Sequence, residues 1–368
     1  MREEHGVLLS GLTTIRVGGP ADRLVTVGTT DELVDAIREV DDADEPLLVV
    51  CGGSNLVIAD EGFAGSVVHI ATRGITVEST ESTESTELTE SSRVATVRVA
   101  AGEVWDDVVA RAVTEGWSGI EALSGIPGCA GATPIQNVGA YGQDVAQTIS
   151  AVRVWDRHEQ QVKTLSNADC QFTYRDSLFK GESRYVVLEV VFRLTLDTLS
   201  TPVAYGDLAR ALGVETGARV PMGEAREAVL AQRRQRGMVL DAKDHDTWSC
   251  GSFFTNPVMT EGSYDALQAR AQVRLGATDG TVRVPRFEAP DGQVKTSAAW
   301  LIERSGFGKG YGMPGPAALS TKHTLAITNR GSATAADVVR LAREIRDGVQ
   351  DAFGVALVNE PVLVGTAV

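Results

Sequence analysis

Metal sites, secretion and membrane insertion all leave marks that are missing from this sequence. Its four cysteines, Cys51, Cys129, Cys170 and Cys250, lie far apart, without the paired spacing of a zinc site or a disulfide framework. We therefore expect no disulfide framework, no bound metal and a reducing compartment. No stretch approaches the ~18 apolar residues of a membrane helix, and the charged opening residues do not resemble a signal peptide. These absences predict a cytoplasmic protein without a membrane partner.

Histidine and positive charge are also in short supply. The five histidines are scattered, so the sequence shows neither metal-ligand spacing nor the Ser-His-Asp order of a hydrolase. The chain has 34 Lys and Arg residues against 49 Asp and Glu residues, a formal net charge of −15. This balance disfavours a general role on nucleic acid or on an anionic membrane. An anionic small substrate stays possible where the basic residues converge.

The hydrophobic pattern predicts an α+β fold, and 368 residues suffice for two or three domains. Strand signals lie at residues 23–27, 47–50, 67–70, 94–99, 149–155 and 185–194, with a last strand at about 356–364. Thr29 with Glu32 indicates a capping box, as does Thr334 with Asp337, and Gly354 is the expected end of the last helix. Further helices are expected near Trp105 and after Pro221. The continuous apolar run at 47–50 predicts a strand buried on both faces.

An acidic tract at residues 78–92 repeats the triplet Glu-Ser-Thr. Its composition offers no apolar surface to bury, so we expect a disordered loop tip between two strands. Phosphorylation or partner docking is the less favoured interpretation. Deletion of the tract is expected to change little.

Two glycine-rich stretches are candidates for a nucleotide site. Residues 51–57, CGGSNLV, allow close backbone approach to a pyrophosphate but match neither a dinucleotide fingerprint nor a Walker A loop. Alone, this stretch fits an ordinary turn equally well. Residues 124–142, SGIPGCAGATPIQNVGAYG, combine five glycines with apolar residues, which predicts an ordered loop. A purely structural Ω-loop is the alternative.

Together these stretches resemble the FAD-binding loops of the MurB family, the UDP-N-acetylenolpyruvoylglucosamine reductases. Four further stretches also resemble the family and occur in the expected order along the chain. They are TTIRVGG at 13–19, FTYRDS at 172–177, GSFFTNP at 251–257, and Glu360-Pro361. They span nearly the whole chain. The resemblance implies an NADPH-dependent flavoenzyme of peptidoglycan precursor synthesis, a non-covalent FAD, a UDP-sugar substrate and a monomeric state.

The resemblance further implies an FAD-binding fold of the vanillyl-alcohol-oxidase type in two subdomains, with a separate α+β substrate-binding domain. The expected boundaries are 1–72 and 73–222 for the FAD subdomains and 223–355 for the substrate domain. Residues 356–368 are expected to form a strand that returns to the active site.

Individual roles also follow from the resemblance. The residues expected to bind FAD are Gly52, Gly53, Ser54, Asn55, Leu56, Ser124, Gly125, Ile126, Pro127, Gly128, Gly131, Ala132, Gln136, Asn137, Gly139, Ala140 and Tyr141. The residues expected to bind the substrate are Tyr174, Tyr205, Arg236, Asn256 and Lys295.

Three residues are expected to be catalytic. Hydride addition to an enolpyruvyl ether leaves negative charge beside a carboxylate, so the site needs a fixed cation or donor and an acid. The resemblance assigns the first task to Arg175, the proton donation to carbon to Ser252, and an acid role near the enolate to Glu360. The alternatives are an ion pair of Arg175 with Asp176 or a nearby acid, a turn position for Ser252 and a surface position for Glu360.

The sequence departs from the family among the cations that hold the diphosphate. Many members have a lysine just after a pair of arginines, whereas here the nearest cation after Arg233-Arg234 is Arg236, with an apparent shift of one residue. The cluster also stands at the end of a predicted helix, where arginines complement the helix dipole. Lys295 is a second candidate. A Tyr205 packed at a helix start is the alternative to its role as the mobile tyrosine over the substrate.

Two rival functions stay open from the sequence. One is a sugar or alcohol oxidase of the same fold, which often tethers its flavin through His or Cys. The other is a non-catalytic nucleotide-binding protein that kept the fold. The joint presence of Arg175, Ser252 and Glu360 favours the reductase over both.

Overall fold

The computed structural model describes residues 1–83, 92–276 and 281–368, and its mixture of helices and sheets confirms the α+β class. The strands are β1 (Arg2–Glu4), β2 (Val7–Leu8), β3 (Pro20–Val27), β4 (Leu47–Val50), β5 (Leu56–Ile58), β6 (Phe63–Ile70), β7 (Ile75–Thr83), β8 (Ser92–Ala100), β9 (Trp117–Ser118), β10 (Gly139–Ala140), β11 (Gln143–Asp144), β12 (Ile149–Asp156), β13 (Gln161–Ser166), β14 (Tyr185–Leu196), β15 (Val258–Met259), β16 (Phe287–Glu288), β17 (Val294–Lys295), β18 (Ala317–Leu319), β19 (Ile327–Asn329) and β20 (Val362–Val364).

The helices connect these strands and cover their faces. They are α1 (Thr30–Asp42), α2 (Trp105–Glu115), α3 (Gly206–Leu212), α4 (Met222–Gln235), α5 (Glu261–Arg274), α6 (Ala298–Arg304) and α7 (Ala335–Phe353). Among the described residues, no helix has both the length and the apolar character that a membrane crossing requires.

The chain divides into two compact units that are each discontinuous in sequence. The first unit comprises Met1–Val7, Ala21–Gly53 and Ala64–Val239. The second comprises Leu8–Pro20, Ser54–Phe63 and Leu240–Val368. Helix α4 therefore belongs to the first unit. The sequence-based domain boundaries stay a prediction of functional organisation.

The first unit is built on two sheets. The larger one is antiparallel, with the order β13-β12-β14-β8-β7 and β9 beside β14. The smaller one contains the order β1-β3-β6-β4, in which β4 runs parallel to β6. Strand β14 carries the predicted apolar alternation of Val186, Leu188, Val190, Phe192 and Leu194, all buried. The sheet thus places a continuous apolar face against α2, whose Trp105 is fully buried.

Two expectations for this unit need correction. Strand β4 was expected to be buried on both faces, but only Val50 is buried and the three residues before it are half-buried. The tract at 78–92 was expected to be a disordered loop, yet its first residues, Glu78 to Thr83, extend β7 in register with β8. The side chain of Arg98 on β8 binds the carboxylate of Glu78, which offsets the low strand propensity of the acidic sequence. Residues 84–91 lie outside the described part of the chain.

The second unit packs its core around α7. Thr334 and Asp337 form the predicted capping box, and Gly354 ends the helix in the left-handed region at φ 68°. At α1, Thr29 also accepts from the N–H of Glu32, but the Glu32 carboxylate accepts from Gly28.

The C-terminal strand is shorter than the expected 356–364. Only β20 is regular, and it runs parallel to β5 with Val362 opposite Leu56. Because Pro361 has no N–H to contribute to a ladder, regular pairing begins just after it. The N–H of Val362 donates to the carbonyl of Asn55 at 2.9 Å. This pairing brings the Glu360-Pro361 segment next to the loop that precedes β5.

Candidate active site

The structure distributes the predicted site residues over the two units. The first unit contains Gly52, Gly53, the predicted FAD residues between Ser124 and Tyr141, Tyr174, Arg175, Tyr205 and Arg236. The second unit contains Ser54, Asn55, Leu56, Ser252, Asn256, Lys295 and Glu360. Each group is described within its own unit.

In the first unit, the two glycine-rich stretches lie against each other. A Cβ atom placed on Gly52 would come within 2.6 Å of the Cα of Gly128, closer than real Cβ contacts. A Cβ on Gly131 would lie 2.5 Å from the Cβ of Ala101. These glycines are therefore required by the packing of the protein itself, and any larger residue would separate the two loops.

A disulfide bond joins the same two loops through Cys51 and Cys129, whose Cα atoms are 6.1 Å apart. The expectation that the cysteines stay unpaired is therefore wrong. The cysteines are separated by 78 positions, and sequence spacing carries no information about a contact that the sheet connections create. Cys170 and Cys250 remain free and buried.

The loop at 124–132 is fixed by buried polar contacts. The N–H of Gly125 donates to the carboxylate of Asp106 at 2.6 Å, and Arg226 of α4 grips the same carboxylate with two hydrogen bonds. Burial opposes ionisation of Asp106, but Arg226 and the Gly125 N–H hold its pKa below the ordinary value. The hydroxyl of Ser124 donates to the carbonyl of Glu121 at 2.7 Å. The hydroxyl of Ser124 is thus already hydrogen-bonded within the protein.

Arg175 adopts a left-handed backbone conformation, with φ 57°. Its guanidinium donates to the carbonyls of Asn137, at 3.3 Å, and of Gly139. A Cβ on Gly139 would lie 2.8 Å from the carbonyl oxygen of Gln143 and 2.9 Å from Nη1 of Arg175, so a larger residue here would displace the hairpin backbone or the guanidinium. Lys180 donates from Nζ to the carbonyl of Arg175 at 2.7 Å. The Arg175 guanidinium lies 5.4 Å from the centre of the Tyr174 ring.

Asn137 links the Arg175 loop to the glycine-rich loop. Its side chain donates to the carbonyl of Thr173 at 3.0 Å and accepts from the N–H of Ala146 at 3.1 Å. The residue is buried and has φ 44°. Because both ends of its amide bind the protein, the side chain of Asn137 positions these loops, and a contact of this side chain with FAD stays a prediction.

Three non-glycine residues with positive φ occur in this region: Asn137, Tyr141 and Arg175, with φ of 44°, 51° and 57°. Each such conformation costs of order 1–3 kcal/mol and persists only where surrounding contacts enforce it. Such strain clusters at active sites and ligand clamps. Nearby Asp144, opposite Gly139 in the β10–β11 hairpin, has its pKa raised by burial, an effect that Arg175 partly offsets.

Tyr205 lies at the start of α3 and is about half exposed (53%). Its ring packs edge-on against Tyr141, with ring centres 6.1 Å apart. Tyr141 also lines a cavity of ≈ 210 Å³ with Gln143, Thr201 and the buried Glu121. The sequence did not single out Glu121, whose carboxylate accepts from Gly119, Gln143 and Thr201.

Of the arginines near the end of α4, Arg233 is the one that faces the glycine-rich loop. Arg236 is exposed and forms an ion pair with Asp207 at 3.5 Å. Nε of Arg233 would lie 3.5 Å from a Cβ on Gly125, and it is buried with no hydrogen-bond partner among the described residues. Burial lowers the pKa of Arg233 to about 10. The sequence favoured Arg236 as the candidate cation, although Arg233 follows the buried Val229 by four residues and so shares its helix face.

In the second unit, backbone pairing sets Glu360 next to the GSFF segment. The N–H of Glu360 donates to the carbonyl of Phe253 at 2.9 Å, one residue after Ser252. Asn55 donates from its side chain to the carbonyl of Glu360 at 3.2 Å. A further bridge joins Phe254 to Asn359. Three separate predicted site segments, at Asn55, Ser252 and Glu360, are thus brought together.

Asn256 and Lys295 are also neighbours in this unit. Lys295 lies on β17, where it is opposite Val258 of β15 and Phe287 of β16. Residues directly opposite on adjacent strands share a face, so Lys295 stands between two exposed apolar side chains (Val258 43%, Phe287 50%). The side chain of Asn256 accepts from the N–H of Ala298 at 3.0 Å and thereby supports the start of α6.

Comparisons with known proteins agree with this arrangement. Residues 243–364 match the model of the UDP-N-acetylenolpyruvoylglucosamine reductase C-terminal domain, and residues 21–165 match that of an FAD binding domain. The UDP-N-acetylenolpyruvoylglucosamine reductase of Streptomyces coelicolor is 56% identical over 100% of this chain and 91% of its own length. The chain belongs to the UDP-N-acetylenolpyruvoylglucosamine reductase family.

Other members of this reductase family are similar over equally large parts of the chain. The Mycobacterium tuberculosis reductase is 50% identical over 98% of this chain and 95% of its own length. The crystal structure of the reductase (MurB) from Thermus caldophilus is 25% identical and covers 99% of both chains with a TM-score of 0.64. The family expectation drawn from the six sequence stretches is confirmed.

The first unit's residues fit an FAD. Gly128, with φ 117°, interrupts the ordinary backbone of the loop, and such a change of hand can aim N–H groups at an anion. The buried Nε of Arg233 can donate to an acceptor beside Gly125. A diphosphate-bearing cofactor supplies both an anion and further acceptors. This part of the chain is also where the FAD binding domain matches.

Proposed function

We propose that Arg175, Ser252 and Glu360 carry the chemistry of a UDP-N-acetylenolpyruvoylglucosamine reductase in this chain. As a member of that family, the chain is an NADPH-dependent FAD oxidoreductase of peptidoglycan precursor synthesis. It reduces UDP-N-acetylglucosamine enolpyruvate to UDP-N-acetylmuramate. The observation that carries the assignment of residues is the pairing of Glu360 with Phe253, which sets two of the three next to each other.

An FAD held by the first unit would supply the hydride that NADPH provides for the vinyl group of the substrate. The protein's share of this chemistry is to stabilise the negative charge that then develops next to the substrate carboxylate, and to deliver a proton to the adjacent carbon. Fixed charges and donors that are oriented before the reaction perform the first task without reorganisation.

Arg175 is proposed to bind the substrate carboxylate. A guanidinium stays charged and offers parallel donors to two carboxylate oxygens. The support for this role is the left-handed backbone of Arg175, which Lys180 and the carbonyls of the glycine-rich loop hold in place.

Ser252 is proposed to donate the proton and Glu360 to assist at the enolate. A serine hydroxyl is a weak acid, so its neighbours must stabilise the alkoxide. The support is the local structure: Asn55 binds the Glu360 carbonyl, and Glu360 binds the Phe253 carbonyl. These contacts fix the backbone of Glu360 next to the segment that carries Ser252.

Substrate binding is proposed for Tyr174, Tyr205, Asn256 and Lys295, with Arg236 as the cation near the diphosphate. The sheet register supports Lys295, because an ammonium between Val258 and Phe287 combines charge with apolar surface. Tyr205 is supported by its exposure at a helix start.

The replacement Ser252→Ala tests the proton-donor role. Reduction of the bound flavin by NADPH should stay near the wild-type rate, because this half-reaction does not involve the substrate carbon. Anaerobic reoxidation by the enolpyruvyl substrate should slow by about 10²–10⁴-fold, the usual contribution of a general acid. Stopped-flow absorbance of the flavin separates the two half-reactions.

Thr255→Ala, three residues along the same segment, is the matched control for Ser252→Ala and should leave both half-reactions unchanged. An unaltered reoxidation rate in Ser252→Ala would remove the serine from the proposed role.

We further propose that the enzyme acts in the cytoplasm as a monomer. A cytoplasmic site suits its nucleotide cofactors and a substrate of peptidoglycan precursor synthesis. Light scattering during size-exclusion chromatography tests the monomer, for which a mass near 39.0 kDa is expected. Fractionation of cells with an antibody to the chain tests the location, and recovery in a membrane fraction would contradict it.

A further inference from the structure

The disulfide between Cys51 and Cys129 has no part in the proposed reduction. It joins the loop after β4 to the loop at 124–132, both in the first unit. Both loops lie in the segment that matches an FAD binding domain. Any change in this bond therefore acts on the part of the chain that holds the cofactor.

The second of these loops is anchored whether or not the disulfide is present. The backbone N–H of Trp105 donates to the carbonyl of Gly128 at 3.0 Å, and the backbone N–H of Ala130 donates to the carbonyl of Glu103 at 2.8 Å. These bonds flank Cys129 on both sides. The disulfide bond attaches the loop that begins at Cys51 to this anchored loop.

The contact between the loops leaves little tolerance for movement. Gly52 approaches Gly128 so closely that even a methyl group would collide with it. The backbones of Gly52 and Gly128 need an attachment to stay at this distance. The neighbouring disulfide between Cys51 and Cys129 is a covalent one. Its loss would permit the loops to separate.

The reduced state is also structurally acceptable. The carbonyl of Ile70 lies 3.3 Å from Sγ of Cys51, within reach of a thiol hydrogen. A reduced Cys51 therefore has a hydrogen-bond acceptor within reach once the two sulfurs have moved apart to non-bonded distance.

The other two cysteines do not share these properties. Burial raises the pKa of Cys170 to about 12 and that of Cys250 to about 12. Thiols of such high pKa are inert, since the thiolate is the reactive form. Exchange with external thiols is accordingly confined to the pair in the first unit, where Cys51 is only half-buried.

We propose that the Cys51–Cys129 pair is a redox-controlled clasp, in which the disulfide strengthens the retention of FAD and its reduction weakens it. This inference rests on the proposed cytoplasmic site, because disulfides in that compartment are usually transient or redox-sensing. The partner is a dithiol, either a small molecule or a protein.

The exchange proceeds in two steps. A thiolate of the dithiol attacks Sγ of Cys51, the more exposed sulfur, and the bond to Cys129 breaks; Cys129 leaves as a thiolate and takes up a proton. The second thiolate of the reagent then attacks the mixed disulfide and releases Cys51. Two electrons pass from the dithiol to the protein, and the reagent becomes a cyclic disulfide. The same steps in reverse close the clasp.

The test compares the holoenzyme in reduced dithiothreitol with the holoenzyme in its cyclic oxidised form. Thiols are counted after denaturation, and released FAD is measured by its fluorescence on dilution. Four thiols are expected in the reduced protein and two in the oxidised one, given four cysteines of which two are free. The dissociation constant of FAD is expected to be about tenfold lower in the oxidised protein, because a pre-organised loop avoids the cost of ordering on binding.

Cysteine replacements test whether the redox effect depends on the Cys51–Cys129 disulfide. Cys129→Ser should retain FAD as weakly as the reduced wild type under both conditions. Cys170→Ala and Cys250→Ala, the matched controls, should keep the redox dependence. Thermal melting confirms that each variant is folded. A redox effect that persists in Cys129→Ser would overturn the proposal, as would four thiols in the oxidised sample or equal FAD affinity in the two states.

Turnover of the enolpyruvyl substrate at saturating FAD is measured alongside. Turnover without a redox effect on FAD affinity contradicts the clasp alone. A redox effect without turnover contradicts the proposed function alone.

Discussion

Arg175 in the first unit and Glu360 in the second are held by different kinds of contact. Arg175 depends on polar side chains: Lys180 binds its carbonyl, and Asn137 joins its loop to the glycine-rich loop. Glu360 depends mainly on backbone pairing with Phe253, which lies in the apolar core of the second unit together with Phe254, and the side chain of Asn55 adds one hydrogen bond to its carbonyl. A polar network is sensitive to the loss of one hydrogen bond, whereas a paired segment on a core is sensitive to the loss of volume.

Among the replacements that test this comparison, Phe254→Ala is expected to have the largest effect, which is on the free energy of unfolding. Phe254 is 2% exposed, and its ring lies 5.2 Å from that of Phe253. Loss of a buried phenylalanine costs about 3–5 kcal/mol, so the free energy of unfolding of the second unit should fall by that amount in urea titrations. Val358→Ala, on the 64% exposed side chain of the paired segment, is the control and should change it by about 0.5 kcal/mol or less. Similar losses in both variants would show that the core does not support Glu360.

Arg175→Ala should have the next largest effect, now on catalysis. Removal of a preoriented donor to the developing charge typically slows turnover by about 10²–10³-fold. Reduction of the flavin by NADPH should be nearly unchanged, which stopped-flow measurements can show. Arg2→Ala, at a side chain that is 75% exposed in the same unit, is the control and should behave as the wild type. Wild-type reoxidation in Arg175→Ala would leave this arginine with a structural role only.

Asn137→Ala probes the polar network directly. The replacement removes the acceptor of the Ala146 N–H and one of the two donors to the carbonyl of Thr173, which also accepts from the N–H of Asp176. Loss of such a hydrogen bond costs about 0.5–1.5 kcal/mol. Because Arg175 is held through the same loop, reoxidation by the substrate should slow along with the loss of thermal stability. Asn137→Asp keeps the acceptor for the N–H of Ala146. Its thermal stability and its reoxidation rate should therefore lie between those of the wild type and of Asn137→Ala. Full reoxidation activity in a destabilised Asn137→Ala would separate Arg175 from this network.

Tyr205→Phe should have the smallest effect. It removes one hydroxyl and keeps the ring that packs against Tyr141. The dissociation constant of the substrate should rise by about tenfold or less, as for a hydrogen bond worth about 1 kcal/mol, while the rate of flavin reduction stays the same. Tyr185→Phe on the large sheet is the control for loss of a phenol. An unchanged dissociation constant would make Tyr205 a packing residue.

Much of the local structure could be predicted from the sequence. The cap at Thr334, the helix end at Gly354 and three strands of the large sheet, β8, β12 and β14, depend on neighbouring residues and on periodicity, and they were found where expected. Strands β7 and β13 of that sheet were not predicted. The start of the last strand was placed less well, since pairing there depends on Asn55, a residue far away in the sequence.

Parts of the site had signals that were available but unused. Arg233 lies four residues after Val229 on the buried face of α4, so helical spacing alone could have favoured it over Arg236. The polar anchors of the Arg175 loop had no such signal. Nothing in the sequence around Lys180 indicates that its ammonium binds the carbonyl of Arg175.

The sequence by itself determined the family, the α+β class and the residue types needed for the chemistry, because these depend on motifs and on short-range periodicity. Only the tertiary structure decided that Cys51 meets Cys129, that Asn55 reaches Glu360 and that Asn137 joins two loops. Each of these contacts links residues far apart along the chain. Such pairs form because strands and helices pack in three dimensions, and no local pattern records which distant residues that packing will bring together.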